Sequence, residues 1–207
     1  MDANPLVASL AKCLGRLQRP AKTGGPPPGQ VLRSDTQSLA ETLACVAESQ
    51  IGQREEGGNN RGPAVVKYQT ATWLPPGPWA WCAAFVCWCV FQAIQAQGLK
   101  PRWPRPRTAG AYDLEAWAAG KYGKTLGAWQ VITPRLDQPD TWPRRGDIVT
   151  FTWSHTGVVR RYKPAARRVF TVEGNAGLES VSDSLTGDGV TAKSHPFKSL
   201  RRIIRHV

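Results

Sequence analysis

Trp79-Ala80-Trp81-Cys82-Ala83-Ala84-Phe85-Val86-Cys87-Trp88-Cys89-Val90 is the stretch around which this chain is organised. Its apolar character runs on to Gln97, and Gly98 supplies a helix stop. Phe85, Val86, Cys89, Val90, Ala93 and Ile94 give that helix its core face. Tyr68 to Leu99 contains no Asp, Glu, Lys or Arg, which raises the question of a membrane span. The compact apolar part, Trp79 to Phe91, is too short to cross ~30 Å of hydrocarbon at ~1.5 Å per residue. Pro75, Pro76 and Pro78 stop it extending backwards. The reading is a buried core helix with Cys82 at its mouth.

The flanking segments set the fold class. Ser38 followed by Glu41 matches a capping box, and Leu39, Leu43, Val46, Ala47 and Ile51 form an apolar stripe behind it. Gly57-Gly58-Asn59-Asn60-Arg61-Gly62-Pro63 ends that unit in a loop, and a second helix is expected over Ala64–Tyr68. Residues 98–107 read as a Pro/Arg/Trp loop. A short helix over Ala109–Ala119 follows, with Gly120 after its end. From Trp129 the pattern turns to β, with strands expected at Trp129–Ile132, Asp147–Thr152, Thr156–Tyr162, Val169–Glu173 and Leu200–Val207. Helices first and antiparallel strands second make an α+β domain.

Residues 1–35 read as a separate N-terminal helix and linker. Leu6, Leu10, Cys13, Leu14 and Leu17 share one helical face, and Gly24-Gly25-Pro26-Pro27-Pro28-Gly29 suits neither helix nor strand. The main domain is assigned to residues 36–207.

A hydrophobic content of 41% and nine Trp in 207 residues belong to a globular chain, not a disordered one. The net charge of +12 is dispersed over three stretches without acids, Lys100–Arg107, Arg160–Arg168 and Lys198–Arg205. Such a field favours an anionic partner or simply a solvated surface, and carries no specificity by itself. Five cysteines is an odd count, so at least one thiol is free, which fits synthesis in a reducing cytosol. Leu6–Leu17 is interrupted by Lys12 and Arg16 and does not read as a secretory signal.

Chemistry enters with Cys82. A thiol attacks carbonyls as thiolate, and a helix N-terminus favours the anion through its unpaired N–H groups and macrodipole. A buried structural cysteine is the commoner fate of Cys in an apolar run. Zinc on Cys82, Cys87 and Cys89 is excluded by helix geometry. Cys82 and Cys89 lie ~10.5 Å apart along the axis, and Cys87 and Cys89 point to opposite sides. Cys87 and Cys89 read as core filler. His155, between Ser154 and Thr156-Gly157, opens a Val-rich strand and is placed to serve as base or imidazolium partner to Cys82. His195, before Pro196, and His206, near the C-terminus, read as surface-turn histidines. Glu173 and Asn175 close the following strand. In an antiparallel pair either reaches the start of the His155 strand and can orient the imidazole.

Taken together, Glu56-Gly57-Gly58-Asn59-Asn60-Arg61-Gly62, Trp81-Cys82-Ala83-Ala84-Phe85-Val86, Gly146-Asp147-Ile148-Val149, His155-Thr156-Gly157-Val158-Val159 and Val172-Glu173-Gly174-Asn175 resemble the CHAP amidase/peptidase domains. These are papain-like cysteine enzymes that cut amide bonds in bacterial peptidoglycan. The resemblance covers about residues 38–207. It implies a papain-like fold in which N-terminal helices pack on a small antiparallel sheet. It also implies Cys82 as nucleophile, His155 as base, Glu173 as orienting group and Asn175 as a further polar member. The residues Glu55-Glu56-Gly57-Gly58-Asn59-Asn60 lack the alternating acids of a calcium loop, so neither metal nor cofactor is expected. Trp73, Trp79, Trp81 and Trp153 are candidates for stacking on sugar rings, and Trp81, Trp153 and Tyr68 are assigned to substrate binding.

The implied function is hydrolysis of a muramoyl–alanine amide or of a wall-peptide bond, by a phage lysis enzyme or an antibacterial effector. Such a protein is made in the bacterial cytoplasm and acts on the wall after release or injection. An effector would have an inhibitor or immunity protein as partner. No nucleic-acid partner and no stable membrane insertion are expected, and the chain reads as a monomer. Two alternatives stand beside this one: a cysteine amidase acting on a non-wall amide, and a basic binding protein without turnover.

Overall fold

The computed structural model describes residues 38–99, 104–120, 128–177 and 188–207. The expected N-terminal helix and linker lie outside the described residues. The order is α1 (Leu39–Glu48), α2 (Pro63–Gln69), α3 (Cys82–Ala96), α4 (Asp113–Ala118), then β1 (Trp129–Ile132), β2 (Ile148–Phe151), β3 (Thr156–Lys163), β4 (Arg168–Ala176), β5 (Gly189–Pro196) and β6 (Leu200–His206). The six strands form one antiparallel sheet in the order β1-β6-β2-β3-β4-β5. This is the α+β layout read from the sequence, with one strand added. β5 was not anticipated.

Ser38 caps α1 by accepting the Glu41 N–H at 3.2 Å. In α3, eleven of fifteen residues are buried, and they fall all round the helix. A helix apolar on every side must be covered on every side. Here α1 and α2 cover one side of α3, and β3 and β4 the other. Cys87 and Cys89 are fully buried free thiols, and burial pushes the Cys87 thiol up to about 12. Cys45 of α1 is disulfide-bonded.

Side chains alternate across the sheet. Ile148, Val158, Val172 and Ile204 join the helix-facing core. Val149, Val159, Val169 and Ile203 join a second cluster on the other face, with Phe151, Phe197 and Leu200. Asp147, just ahead of β2, is 2% exposed and is clamped by Arg205 of β6, Nε to Oδ1 at 3.0 Å and Nη2 to Oδ2 at 2.8 Å. Its place in Gly146-Asp147-Ile148-Val149 is therefore structural.

Candidate active site

Cys82 is the first residue of α3 and only 4% exposed. Trp81, ahead of it, makes no side-chain cap. The N–H groups of the first turn, Cys82 included, have no acceptor within the helix.

His155 stands in the turn between β2 and β3. That turn is held by backbone and by one long-range tyrosine. Phe151 N–H donates to His155 C=O at 2.9 Å. Tyr112, just before α4, donates its hydroxyl to Phe151 C=O at 3.1 Å and accepts the Ser154 N–H at 2.7 Å. Ser154 adopts φ 60°, a left-handed conformation that closes the turn.

β4 brings Glu173 to the imidazole. The register Val158↔Val172 places Glu173 beside Gly157, just inside His155. The approach needs glycine there: a Cβ on Gly157 would lie 2.6 Å from Glu173 Cγ. Gly174 does the same on the helix side, where a Cβ would lie 2.5 Å from Phe85 Cβ and 2.7 Å from Trp81 Cζ3. β4 therefore packs its backbone against the first turn of α3, and Cys82, His155 and Glu173 converge.

His155 Nε2 lies 3.0 Å from Glu173 Oε2, with both side chains almost fully buried. Burial alone would lower the His155 pKa. The charge of Cys82, a hydrogen bond with it and the bond to Glu173 outweigh burial and raise it to about 10. Nε2 is taken by Glu173, and Nδ1 has no nitrogen or oxygen partner, so the ring presents Nδ1 to the sulfur.

Burial raises the Glu173 pKa, but the hydrogen bonds from His155 and His195 reverse this and hold the carboxyl down at about 2. The second histidine corrects the sequence reading. His195 is 2% exposed, not a surface-turn residue, and its Nε2 sits 2.8 Å from Glu173 Oε1. Thr171 also donates its hydroxyl to Oε1. An ionised carboxylate only accepts, so both imidazoles donate from Nε2. His206 is half-buried, packs edge-on to Trp129 at 5.1 Å, and has its pKa lowered by burial.

Asn175 lies on β4 two residues past Glu173, fully buried, at φ 53° where the β4–β5 register breaks. Two of the three substrate-binding assignments are corrected by burial. Trp81 and Tyr68 are fully buried and stack on each other at 5.3 Å, so neither offers a face to a ligand. Trp81 Nε1 instead donates to Glu55 at 2.8 Å, and Glu55 also accepts the Asn60 N–H at 2.7 Å. This ties the Glu55–Asn60 loop to the residue before Cys82. Trp153 is partly exposed and stacked on Phe151 at 4.7 Å. Trp73 is 67% exposed. Among the described residues no cluster of His, Cys, Asp and Glu is arranged to hold a metal ion.

Residues 74–175, from the proline-rich turn before α3 to Asn175, match the model of the CHAP domain family. The chain carries a CHAP domain. Cys82, His155, Glu173 and Asn175 all fall inside the match, and His195 falls beyond it. No curated protein matches the chain significantly. Among solved structures, the CHAP domain chain is similar to the wild-type endolysin LysIME-EF1, with a TM-score of 0.44 and 14% identity. That alignment covers 81% of this chain and 63% of the endolysin, so the chain spans less than two thirds of that protein. No helix among the described residues is long and apolar enough to cross a membrane.

Proposed function

We propose that this CHAP domain is a peptidoglycan hydrolase that cleaves an amide bond, with Cys82 as nucleophile, His155 as acid and base, and Glu173 as the group that orients His155. The observation carrying the reading is the buried chain Cys82–His155–Glu173 at the open N-terminus of α3. Membership of the CHAP family supports the wall substrate.

The reacting form pairs the imidazolium of His155 with the Cys82 thiolate. The sulfur attacks the amide carbonyl, and the oxygen's developing charge is met by the Cys82 N–H at the helix end. As the C–N bond breaks, His155 gives its Nδ1 proton to the leaving amine. The resulting thioester is attacked by water, whose proton passes to Nδ1. The acid product then leaves, and thiolate and imidazolium are restored. Throughout, Glu173 holds Nε2–H and fixes which nitrogen exchanges the proton. Trp153, partly exposed two residues before His155, is the aromatic face offered to a sugar ring. The +12 charge favours approach to an anionic wall. Release at host lysis and injection into a rival cell are both compatible with this chemistry; only an injected enzyme calls for a dedicated inhibitor in the producing cell.

The test is mass spectrometry of purified peptidoglycan treated with wild type and with Cys82→Ala. New fragments from wild type alone are expected, and their masses name the bond. Equal fragmentation by Cys82→Ala would remove Cys82 as nucleophile. No fragments from wild type, with a Cys82 thiol that still reacts fast with iodoacetamide, would redirect the reading to a non-wall amide.

A further inference from the structure

β5 carries a residue that the Cys–His–Glu reading does not use. His195 is buried, and its Nε2 meets Glu173 Oε1 at 2.8 Å while His155 meets Oε2 at 3.0 Å. One carboxylate is thus gripped on each oxygen by a separate imidazole, with the Thr171 hydroxyl as a third donor. The register Val169↔His195 fixes His195 on the strand next to Glu173's own. Its ring packs on Phe151 at 4.6 Å and on Trp153 at 5.4 Å. Phe151 also faces His155 at 6.1 Å, nearly parallel, so one aromatic ring braces both imidazoles. His195 Nδ1 has no hydrogen-bond partner among the described residues. The polar contact of this ring is Glu173.

We infer that His195 is a positioning residue: it anchors Oε1 so that the plane of the Glu173 carboxylate is fixed and Oε2 stays aimed at His155. The inference rests on the reading of Cys82, His155 and Glu173 as the reacting set. A carboxylate held through one oxygen pivots about its last torsion, which is broad and roughly two-fold. Anchored through both, it does not. A supporting group of this kind sets the orientation and basicity of the residue it touches without meeting the substrate. The titratable groups linked through this carboxylate are His155 on the β2–β3 turn, His195 on β5 and, through His155, Cys82 on α3.

The test follows the rate of Cys82 alkylation by iodoacetamide in the full chain as a function of pH, read by mass spectrometry of the Cys82 peptide. Variants are His195→Leu, which keeps the bulk and removes the donor, and His195→Gln, whose amide places a donor near the position of Nε2. His195→Leu is expected to move the acid limb of the profile to higher pH and to slow alkylation at pH 5 about tenfold or more. His195→Gln is expected to restore most of the wild-type profile. On peptidoglycan, His195→Leu should lower kcat and leave KM nearly unchanged. A His195→Leu profile superposing on wild type, or equal losses in both variants, would overturn the inference. If His195→Leu does not fold, nitrogen NMR of the wild type decides. A proton on His195 Nε2 is expected, and its absence from that nitrogen overturns the inference. Should wild type release no wall fragments, the substrate reading fails while the alkylation profiles still judge His195.

Discussion

Glu173→Gln is the sharpest perturbation of the site, because it changes one atom and reverses one hydrogen bond. Wild-type Glu173 accepts from His155 on one oxygen and from His195 and Thr171 on the other. A glutamine amide offers one acceptor and one donor group. With its oxygen toward His195 and Thr171, its NH2 meets the Nε2–H of His155 donor to donor. His155 then relaxes by losing that proton and carrying one on Nδ1, the wrong tautomer for the base role proposed for it. An orienting acid changed to its amide in a hydrolase triad costs roughly 10⁴-fold in kcat by this route. The stability effect follows from linkage. Glu173 falls from 4.5 to about 2 on folding, worth about 3 kcal/mol at fully buried charge. Its folded value is depressed, so this stability is present above pH 4.5 and is lost as pH falls toward 2. His155 rises from 6.5 to about 10, so its share is present below pH 6.5 and is lost as pH rises through 10. The wild-type advantage over Glu173→Gln should therefore peak between about pH 4.5 and 6.5 and shrink on either side. Urea unfolding of both proteins at pH 3, 5.5 and 9, alongside wall turnover, reads both effects. A stability gap independent of pH, or a variant retaining more than a tenth of wild-type kcat, would refute the charge assignment.

Gly174→Ala places a methyl 2.5 Å from Phe85 Cβ, where the neighbours are a helix side chain at its root and the Trp81 ring. It should cost about 1–3 kcal/mol in chemical denaturation and depress activity further by displacing Glu173 from Cys82. Asp147→Ala leaves Arg205 buried with backbone carbonyls of Asp140 and Trp142 as its remaining partners. A loss of about 3–5 kcal/mol is expected in thermal or urea unfolding, with Cys82 alkylation unchanged in the protein that remains folded.

Most of the helix layer was legible because its signals are local. The apolar run of α3, the Ser38 cap and the Gly stops each depend on residues within a few positions of one another. Four of the five expected strands agree with the structure within two residues at either end, and the fifth, Val169–Glu173, starts within one but runs on to Ala176. β5 escaped because edge strands need not look like strands. Gly189-Val190-Thr191-Ala192-Lys193-Ser194-His195-Pro196 carries a lysine and a terminal proline, both common on sheet edges and both poor strand formers. Missing the strand meant misreading His195 beside Pro196 as a turn. A residue whose importance lies in a contact 22 positions away leaves no spacing signature. Tyr112, which pins the His155 turn from 42 positions away, was invisible for the same reason. Trp81 and Tyr68 failed differently. Aromatic type marks both ligand platforms and cores, and only packing tells which.

Two buried carboxylates in this sheet show how the same burial serves different ends. Asp147 and Glu173 are each 2% exposed, and burial pushes both pKa values up. Asp147 is met by Arg205, a guanidinium that stays charged at any working pH, and the pair has one state. It staples β6 to the entry of β2 and has no proton to exchange. Glu173 is met by two imidazoles, whose charge comes and goes with a proton. Three donors, from His155, His195 and Thr171, keep it satisfied as an anion. A buried carboxylate with a single imidazole would have a cheaper exit, taking the proton itself. In the proposed mechanism, gripping Glu173 from both sides closes that exit and leaves the exchangeable proton on the side of His155 that faces Cys82.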